Sequence, residues 1–255
     1  MQLNFKIFGN PLNETIIILH GMFGTLDNWQ SIAKSLEAQY CVYIVDLRNH
    51  GRSPHSDIFG YDIMCQDIVE FMGSQGLREA HLVGHSMGGK VAMEIALNYP
   101  ELVQSLIVAD IAPVTYKGHH EGVFEAMFAL DPSKINNRKE AEDILKQFPI
   151  DWATQQFVLK NLNLNKDTLK YEWRMNLPVI YAHYEEILTF KERDAVYDGP
   201  TLFMRGEKSN YINENDLPAY QKYFPHAELV NIANAGHWLH ADNPKDFVQA
   251  IMDFI

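Results

Sequence analysis

A five-residue stretch of this chain has the spacing of a nucleophile elbow, which is a sharp turn between a strand and a helix. A serine lies two positions from a glycine on either side, in the pattern Gly84-x-Ser86-x-Gly88. Small neighbours let the strand and the helix approach closely enough to hold the central residue in a strained backbone conformation. An apolar run at 80–83 precedes the turn, and helical spacing follows it over 87–98. Ser86 is therefore the predicted nucleophile.

A serine nucleophile needs a general base, because its hydroxyl reacts poorly until a neighbouring group accepts the proton. Of the eleven histidines in the chain, His237 is favoured, since it follows the last predicted strand on a loop with Gly236 beside it. His240, further along the same loop, is the alternative base. His85 adjoins the serine but points away from it on an elbow turn, which predicts a structural role.

The third member of such a triad is a carboxylate that orients the histidine and stabilises its protonated form. Two predicted strand ends supply one. Asp110 directly follows the strand at 102–109, and Glu207 lies in the loop beyond the strand at 200–204. Asp110 is favoured because it is a short side chain in an apolar setting. Glu207 stays open as the alternative acid, and Asp216 is a more distant one.

An oxyanion hole is predicted at the end of an earlier strand. The β-branched run at 15–19 is followed by His20-Gly21, where the glycine lets main-chain amides point towards a developing negative charge. The amide of Met22 is the predicted donor there, and the amide of Met87, directly after the serine, is the second. A plain strand-to-loop turn is the alternative interpretation of this pair.

Predicted strands and helices alternate along the chain up to residue 110. This alternation predicts a mostly parallel α/β sheet flanked by helices. In such sheets the functional groups collect at the carboxyl ends of the strands, where His20, Ser86 and Asp110 all lie. The candidate residues are therefore predicted to share one edge of one sheet.

A polar loop at 46–54 follows another predicted strand at the same edge. Its Asp46 and His50 are residue types that act in catalysis elsewhere. Because turn-forming residues are dense in this loop, we interpret both side chains as hydrogen-bonding braces for the floor of the site.

The character of the sequence changes between residues 111 and 197. Aromatic and methionine side chains are dense there, and helical segments follow one another without obvious buried strands, at 121–130, 139–148, 152–162 and 179–190. We interpret this stretch as a helical cap that folds over the strand ends and supplies an apolar substrate pocket. The predicted organisation is a core of residues 1–110 and 198–255 with the cap inserted at 111–197.

Composition and charge narrow the function classes. The chain has 255 residues, 47% of them hydrophobic, and a formal net charge of −12, which argues against nucleic acid or an anionic membrane surface as the main partner. No apolar run approaches the ~18 residues of a membrane span, and the first residues lack the pattern of a signal peptide. We therefore expect a cytoplasmic protein, a monomer by default, whose Cys41 and Cys65 are free buried thiols.

Five motifs in this order resemble the α/β-hydrolase superfamily, and more narrowly the YbfF-type small bacterial carboxylesterases and their mitochondrial relatives. The motifs span nearly the whole chain: His20-Gly21-Met22-Phe23-Gly24, Asp46-Leu47-Arg48-Asn49-His50-Gly51, Gly84-His85-Ser86-Met87-Gly88-Gly89-Lys90, Asp110-Ile111-Ala112-Pro113-Val114 and Ala235-Gly236-His237-Trp238.

The resemblance implies an eight-stranded sheet with a helical cap, and an esterase acting on short acyl esters or acyl-CoA thioesters. The wider superfamily commonly carries its catalytic aspartate in the loop that follows Met204 in this chain, and Ser209 stands near that place here. This departure, like the resemblance to the narrower group, favours Asp110 as the acid.

Together these features predict a serine carboxylesterase that hydrolyses short- to medium-chain acyl esters, with acyl-CoA thioesters as further candidate substrates and with no metal or organic cofactor. A carbon–carbon bond hydrolase and a cofactor-free haloperoxidase are alternatives, because both retain the serine and the histidine on the same fold. A non-catalytic ligand-binding protein is the third alternative, although such proteins usually lose a triad residue and Ser86 and His237 are both present.

Overall fold

The computed structural model describes the backbone of residues 1–255 and every side chain except those of Glu214 and Leu217. The strands, in chain order, are β1 (Phe5–Phe8), β2 (Thr15–Leu19), β3 (Cys41–Val45), β4 (Ala80–His85), β5 (Val103–Ala109), β6 (Leu162–Leu164), β7 (Tyr171–Trp173), β8 (Thr201–Gly206) and β9 (Ala227–Ile232). The helices are α1 (Gln30–Leu36), α2 (Tyr61–Ser74), α3 (Met87–Asn98), α4 (Glu121–Ala129), α5 (Arg138–Leu145), α6 (Trp152–Leu159), α7 (Leu177–Ala182), α8 (Tyr184–Leu188), α9 (Leu217–Tyr223), α10 (Leu239–Asp242) and α11 (Pro244–Phe254). Short 3-10 turns occupy Leu26–Trp29, Pro100–Leu102, Pro132–Lys134 and Glu214–Asp216.

Seven strands of the described chain form one sheet in the order β1-β3-β2-β4-β5-β8-β9. Neighbouring strands are parallel except β1, which pairs with β3 in the antiparallel sense. The central strands are unbroken apolar runs, such as Thr-Ile-Ile-Ile-Leu in β2 and Cys-Val-Tyr-Ile-Val in β3, because helices cover both faces of a parallel sheet. The predicted α/β class with a mostly parallel sheet is confirmed.

Two apolar layers enclose the sheet. On one face, α1 and α11 pack through side chains that include Ile32 and Phe247. On the other face, α2 and α3 pack through side chains that include Ile68 and Val91.

Among the described helices, none is both long enough and apolar enough to cross a lipid bilayer.

The predicted count of eight strands is wrong. The family resemblance implied the eighth strand, whereas seven strands of the described chain pair in the sheet. Residues 9–14 form a turn between β1 and β2. The short strands β6 and β7 pair with each other in a separate hairpin instead of extending the sheet.

Between β5 and β8 the chain leaves the sheet and forms α4–α8 and the β6–β7 hairpin. The helical character that was predicted for 111–197 is present, with two differences. The predicted helix at 179–190 is two helices that meet at His183. The hairpin was missed because its strands are short and mostly lack the burial that makes an apolar run. The division into core and cap at residues 110 and 198 stays a prediction.

The register of the parallel strands aligns the ends that carry the candidate site. Leu19 pairs with Gly84, His85 pairs with Ala109, and Ala109 pairs with Met204. The residues that follow β2, β4, β5 and β8 therefore meet along one edge of the sheet, below α4–α8.

Candidate active site

Ser86 lies at the turn between β4 and α3, with φ of 53° and ψ of −119°. This left-handed conformation is uncommon for a side chain other than glycine and is maintained by the packing around it. A Cβ atom on Gly84 would lie 2.3 Å from the carbonyl oxygen of Gly88, and one on Gly88 would lie 2.4 Å from that of Leu19. Both glycines of the motif are therefore required by close approach of the strand and the helix.

The structure brings Ser86, His237 and Asp110 together. The Oγ atom of Ser86 is 3.1 Å from Nε2 of His237, and Nδ1 of His237 is 2.8 Å from Oδ2 of Asp110. A carboxylate that accepts hydrogen bonds at both oxygens leaves Nδ1 of His237 to carry the ring hydrogen and donate a hydrogen bond to Asp110. Nε2 is then the acceptor that faces the serine hydroxyl, which is the tautomer that a general base for Ser86 requires.

The carboxylate of Asp110 is fully buried and fully hydrogen-bonded. Besides His237, Oδ2 accepts a hydrogen bond from the hydroxyl of Ser209, and Oδ1 accepts one from the amide of Gly206 at 3.0 Å. Asp110 itself has φ of 54°, which turns the chain sharply at the end of β5. These donors compensate for the cost of burying a carboxylate.

The alternative acids face other partners. Glu207 is exposed, and its Oε2 accepts a hydrogen bond from the amide of Asn234 at 2.7 Å. Asp216 accepts a hydrogen bond from the amide of Asn213 at 2.9 Å. Of the three carboxylates considered from the sequence, Asp110 is the one whose oxygen contacts the imidazole of His237.

The other histidines near the serine are held in structural contacts. Nε2 of His85 donates a hydrogen bond to the carbonyl oxygen of His237 at 2.7 Å. The ring of His240 stacks on Trp29 with 4.0 Å between centroids. Burial lowers the pKa of His85 well below its ordinary value and that of His240 to about 3, so both rings stay neutral at pH 7.

The predicted oxyanion donors lie on the wall of the cavity that Ser86 enters. Among the hydrogen bonds of the described residues, neither the amide of Met22 nor that of Met87 has an acceptor. Met87 is the first residue of α3, where backbone amides have no partner within the helix. Both amides are therefore available to a ligand oxygen.

Two buried histidines hold the loop that carries Met22. Nε2 of His20 accepts a hydrogen bond from the amide of Leu47 at 3.0 Å, and Nε2 of His50 accepts one from the amide of Phe23 at 3.3 Å. Burial lowers the pKa of His20 to about 4 and that of His50 to about 3. Both rings are neutral at pH 7, which lets one nitrogen of each accept.

Asp46 accepts hydrogen bonds from the backbone near the loop that carries Met22. Its Oδ1 accepts a hydrogen bond from the amide of Leu26 at 2.7 Å, and its Oδ2 accepts one from the amide of Arg52 at 2.9 Å. Asp46 and His50 thus accept hydrogen bonds from main-chain amides, and Asp46 also accepts one from the side chain of Asn4, in agreement with their interpretation as braces.

A cavity of about 540 Å³ opens above Ser86. Its apolar wall comes from residues that follow the strands and from residues between β5 and β8: Phe23, Ile111, Val123, Ile150, Phe157, Val158, Ile187, Leu188 and Trp238. Several aromatic residues between β5 and β8 lie elsewhere, for example Phe124, whose buried ring packs against those of Phe23 and Tyr184. Among the described residues, no group of three or more His, Cys, Asp or Glu side chains is arranged to hold a metal ion.

Lys90 is a cavity residue whose role the sequence did not suggest. Its Nζ donates to the carbonyl oxygens of Leu188 and Thr189, at 2.8 and 3.1 Å, and so ties α3 to the end of α8. Burial lowers the pKa of this amine to about 7, although the nearby carboxylate of Glu94 opposes the shift.

Tyr211 and Ser209 also contact the candidate triad, and sequence reasoning assigned neither contact. The ring of Tyr211 stacks on that of His237, and Ser209 donates to Asp110. The sequence offered no signal for these contacts, because the partners of Ser209 and Tyr211 are far away along the chain.

A family model described as the α/β hydrolase fold matches residues 14–244. The chain is 40% identical over 264 residues to the sn-1-specific diacylglycerol lipase ABHD11 of Danio rerio, covering 100% of this chain and 83% of that protein. It is 35% identical to esterase YbfF of Escherichia coli K12, covering 95% of this chain and 93% of that protein. It also superposes on the solved structure of a marine microorganism esterase with a TM-score of 0.96 and 41% identity, covering 100% of this chain and 99% of that one.

Proposed function

The chain belongs to the α/β-hydrolase family and is a serine ester hydrolase, and we propose that it cleaves short- to medium-chain acyl esters with Ser86 as nucleophile, His237 as base and Asp110 as acid. Acyl-CoA thioesters and acylglycerols are further candidate substrates. The observation that carries the proposal is the unbroken hydrogen-bonded series Asp110, His237, Ser86 at the floor of the cavity.

In the first half of the proposed reaction, Oγ of Ser86 attacks the carbonyl carbon of the ester while His237 takes the hydroxyl proton on Nε2. The carbonyl π electrons move to oxygen, and the amides of Met22 and Met87 bind the resulting oxyanion. Each such donor contributes ~10²–10³ in rate. The bond to the leaving oxygen then breaks, and His237 returns its proton to the departing alcohol.

In the second half, water replaces the alcohol. His237 accepts a proton from water as the water oxygen attacks the acyl-enzyme, and the same two amides bind the second oxyanion. Collapse breaks the bond between the acyl carbon and Oγ, and His237 returns the proton to Ser86. The products are one carboxylic acid and one alcohol, with the enzyme restored.

The cavity supports an acyl group of moderate length. Its volume of about 540 Å³ lies within the ~300–1,000 Å³ of small-molecule sites. The predicted cap supplies most of the apolar wall of the cavity. We therefore propose that the cap sets the length of the acyl chain that fits. The name of the ABHD11 relative as a diacylglycerol lipase is the reason to include acylglycerols in the test.

The test is hydrolysis of p-nitrophenyl esters from acetate to palmitate, with butyryl-CoA, a diacylglycerol, a 1,3-diketone and a halide oxidation assay alongside. The wild type is compared with Ser86→Ala and with Ser35→Ala, which removes an exposed hydroxyl from α1. We expect turnover with an optimum at short to medium chains that is lost in Ser86→Ala and kept in Ser35→Ala.

Two results would reject the proposal. Ester turnover that survives in Ser86→Ala would remove the serine from the mechanism. Diketone cleavage or halide oxidation that exceeds ester turnover would assign the same site to carbon–carbon hydrolysis or to haloperoxidation.

A further inference from the structure

We infer that Tyr211 is a positioning residue for the imidazole of His237. The two rings lie face to face, with 3.9 Å between centroids and an angle of 18° between their planes. The hydrogen bonds of His237 to Asp110 and Ser86 lie in the plane of the imidazole. They locate two ring atoms, whereas a stacked aromatic face restrains the tilt of the whole ring.

The backbone of Tyr211 is held by two hydrogen bonds. Its amide donates to Oγ of Ser209 at 3.2 Å, and Ser209 in turn donates to Asp110. Its carbonyl oxygen accepts a hydrogen bond from the hydroxyl of Tyr116 at 2.6 Å. A residue whose backbone is bound at both its donor and its acceptor presents its ring in a fixed place.

The hydroxyl of Tyr211 forms a further hydrogen bond, to His119 in the segment between β5 and α4. It lies 2.7 Å from Nε2 of His119, whose Nδ1 faces the carbonyl oxygen of Lys117 at 3.4 Å. Nδ1 therefore donates, and Nε2 accepts a hydrogen bond from the hydroxyl of Tyr211. Burial raises the pKa of Tyr211, so the phenol keeps that proton at neutral pH.

The stacking matters when His237 becomes charged. The imidazole gains a proton as Ser86 attacks, and the face of an aromatic ring attracts a cation placed over it. The same ring keeps Nε2 directed at Ser86, and a misplacement of about 1 Å at such a site costs about 10²-fold in rate. Tyr211 thus acts through His237 and takes no part in bond making or breaking.

The inference rests on the proposed function, and the test separates the two. Tyr211→Leu removes the ring, Tyr211→Phe keeps the ring without the hydroxyl, and Tyr181→Leu removes an exposed tyrosine of α7 as a matched control. Turnover of p-nitrophenyl butyrate is measured per titrated active site. The rate of Ser86 labelling by a fluorophosphonate probe reports the nucleophile without any ester.

We expect Tyr211→Leu to lower kcat and the labelling rate by about 10- to 100-fold with KM changed by less than about threefold. Tyr211→Phe should recover most of both rates, and Tyr181→Leu should match the wild type. If Tyr211→Leu does not fold, as judged by its thermal unfolding midpoint, Tyr211→Met repeats the loss of the ring with a longer side chain.

Two outcomes would overturn the inference. One is wild-type kcat and labelling in the variants without the ring, and the other is an equal loss in Tyr211→Phe and Tyr211→Leu, which would assign the effect to the hydroxyl. Absence of ester turnover in the wild type would reject the proposed function alone, because the labelling rates would still test the role of Tyr211.

Discussion

At the scale of single residues, the environment of Asp110 separates it from the other carboxylates. Its two oxygens receive hydrogen bonds from the amide of Gly206, the hydroxyl of Ser209 and the imidazole of His237. Glu207 receives one from a turn on the protein surface. The carboxylate of Asp110 therefore contacts the imidazole of His237, whereas that of Glu207 caps a turn.

This difference predicts the outcome of two matched substitutions. Asp110→Asn should lower kcat by about 10³–10⁴-fold, because an amide that donates to His237 stabilises the tautomer with its proton on Nε2. Glu207→Gln keeps an acceptor for the Asn234 amide and should leave kcat unchanged. Steady-state kinetics on one p-nitrophenyl ester measure both.

Thermal unfolding of the same two variants is the control, since each must be folded when it is assayed. A loss in Glu207→Gln comparable to that in Asp110→Asn would show that the acid had been assigned to the wrong strand end.

At the scale of elements, the site depends on how closely α3 approaches β2 and β4. The glycines on either side of Ser86 permit this approach, and a Cβ on Gly88 would also meet the carbonyl oxygen of His20 at 2.6 Å. These contacts are with backbone atoms of central strands, which have little freedom to move.

Gly88→Ala is therefore expected to destabilise the protein by about 3 kcal/mol and to reduce the yield of active enzyme. Gly73→Ala is the matched control, because Gly73 lies in α2 with nothing within 4 Å of its missing Cβ. It should stabilise the protein by roughly 0.5–1 kcal/mol, since alanine favours a helix. Urea unfolding measures both, and equal stability of the two variants would contradict the close approach at the elbow.

At the scale of the whole molecule, buried neutral histidines couple folding to pH. Burial lowers the pKa of His20 to about 4, and those of His50, His120 and His240 to about 3. An unfolded histidine titrates near 6.5. Between pH 6.5 and about 4 the unfolded chain thus binds protons that these folded rings do not bind.

Because the unfolded state binds more protons in this window, the free energy of unfolding rises with pH there and falls on acidification. We expect urea unfolding to show this loss between pH 7 and pH 5. Each such histidine contributes at most roughly 1.4 kcal/mol per pH unit. His240→Gln should reduce the slope, whereas His226→Gln, at an exposed position, should not. An unchanged slope in His240→Gln would mean that His240 takes up protons equally in the folded and unfolded states.

Features that depend on short-range patterns could be predicted from the amino-acid sequence. Apolar runs and helical spacing are local, so they predicted the α/β class, the run of helices between β5 and β8 and the order of the elements. Turn chemistry is local as well, and the glycines around Ser86 predicted the elbow from five residues. The position of His237 just after the last strand followed from the same kind of reasoning.

Features that depend on contacts between distant parts of the chain became visible in the folded protein. Asp110 and Glu207 both follow strands of the sheet, and the packing of the loop that carries His237 determines which carboxylate it meets. The family resemblance implied eight strands, whereas the strand pairing of the described chain gives a sheet of seven. Tyr211 stacks on His237 because two loops pack together. The sequence around either residue does not indicate this contact. Periodicity and turn chemistry act over a few residues, whereas these contacts form when strand register and loop packing bring remote segments together.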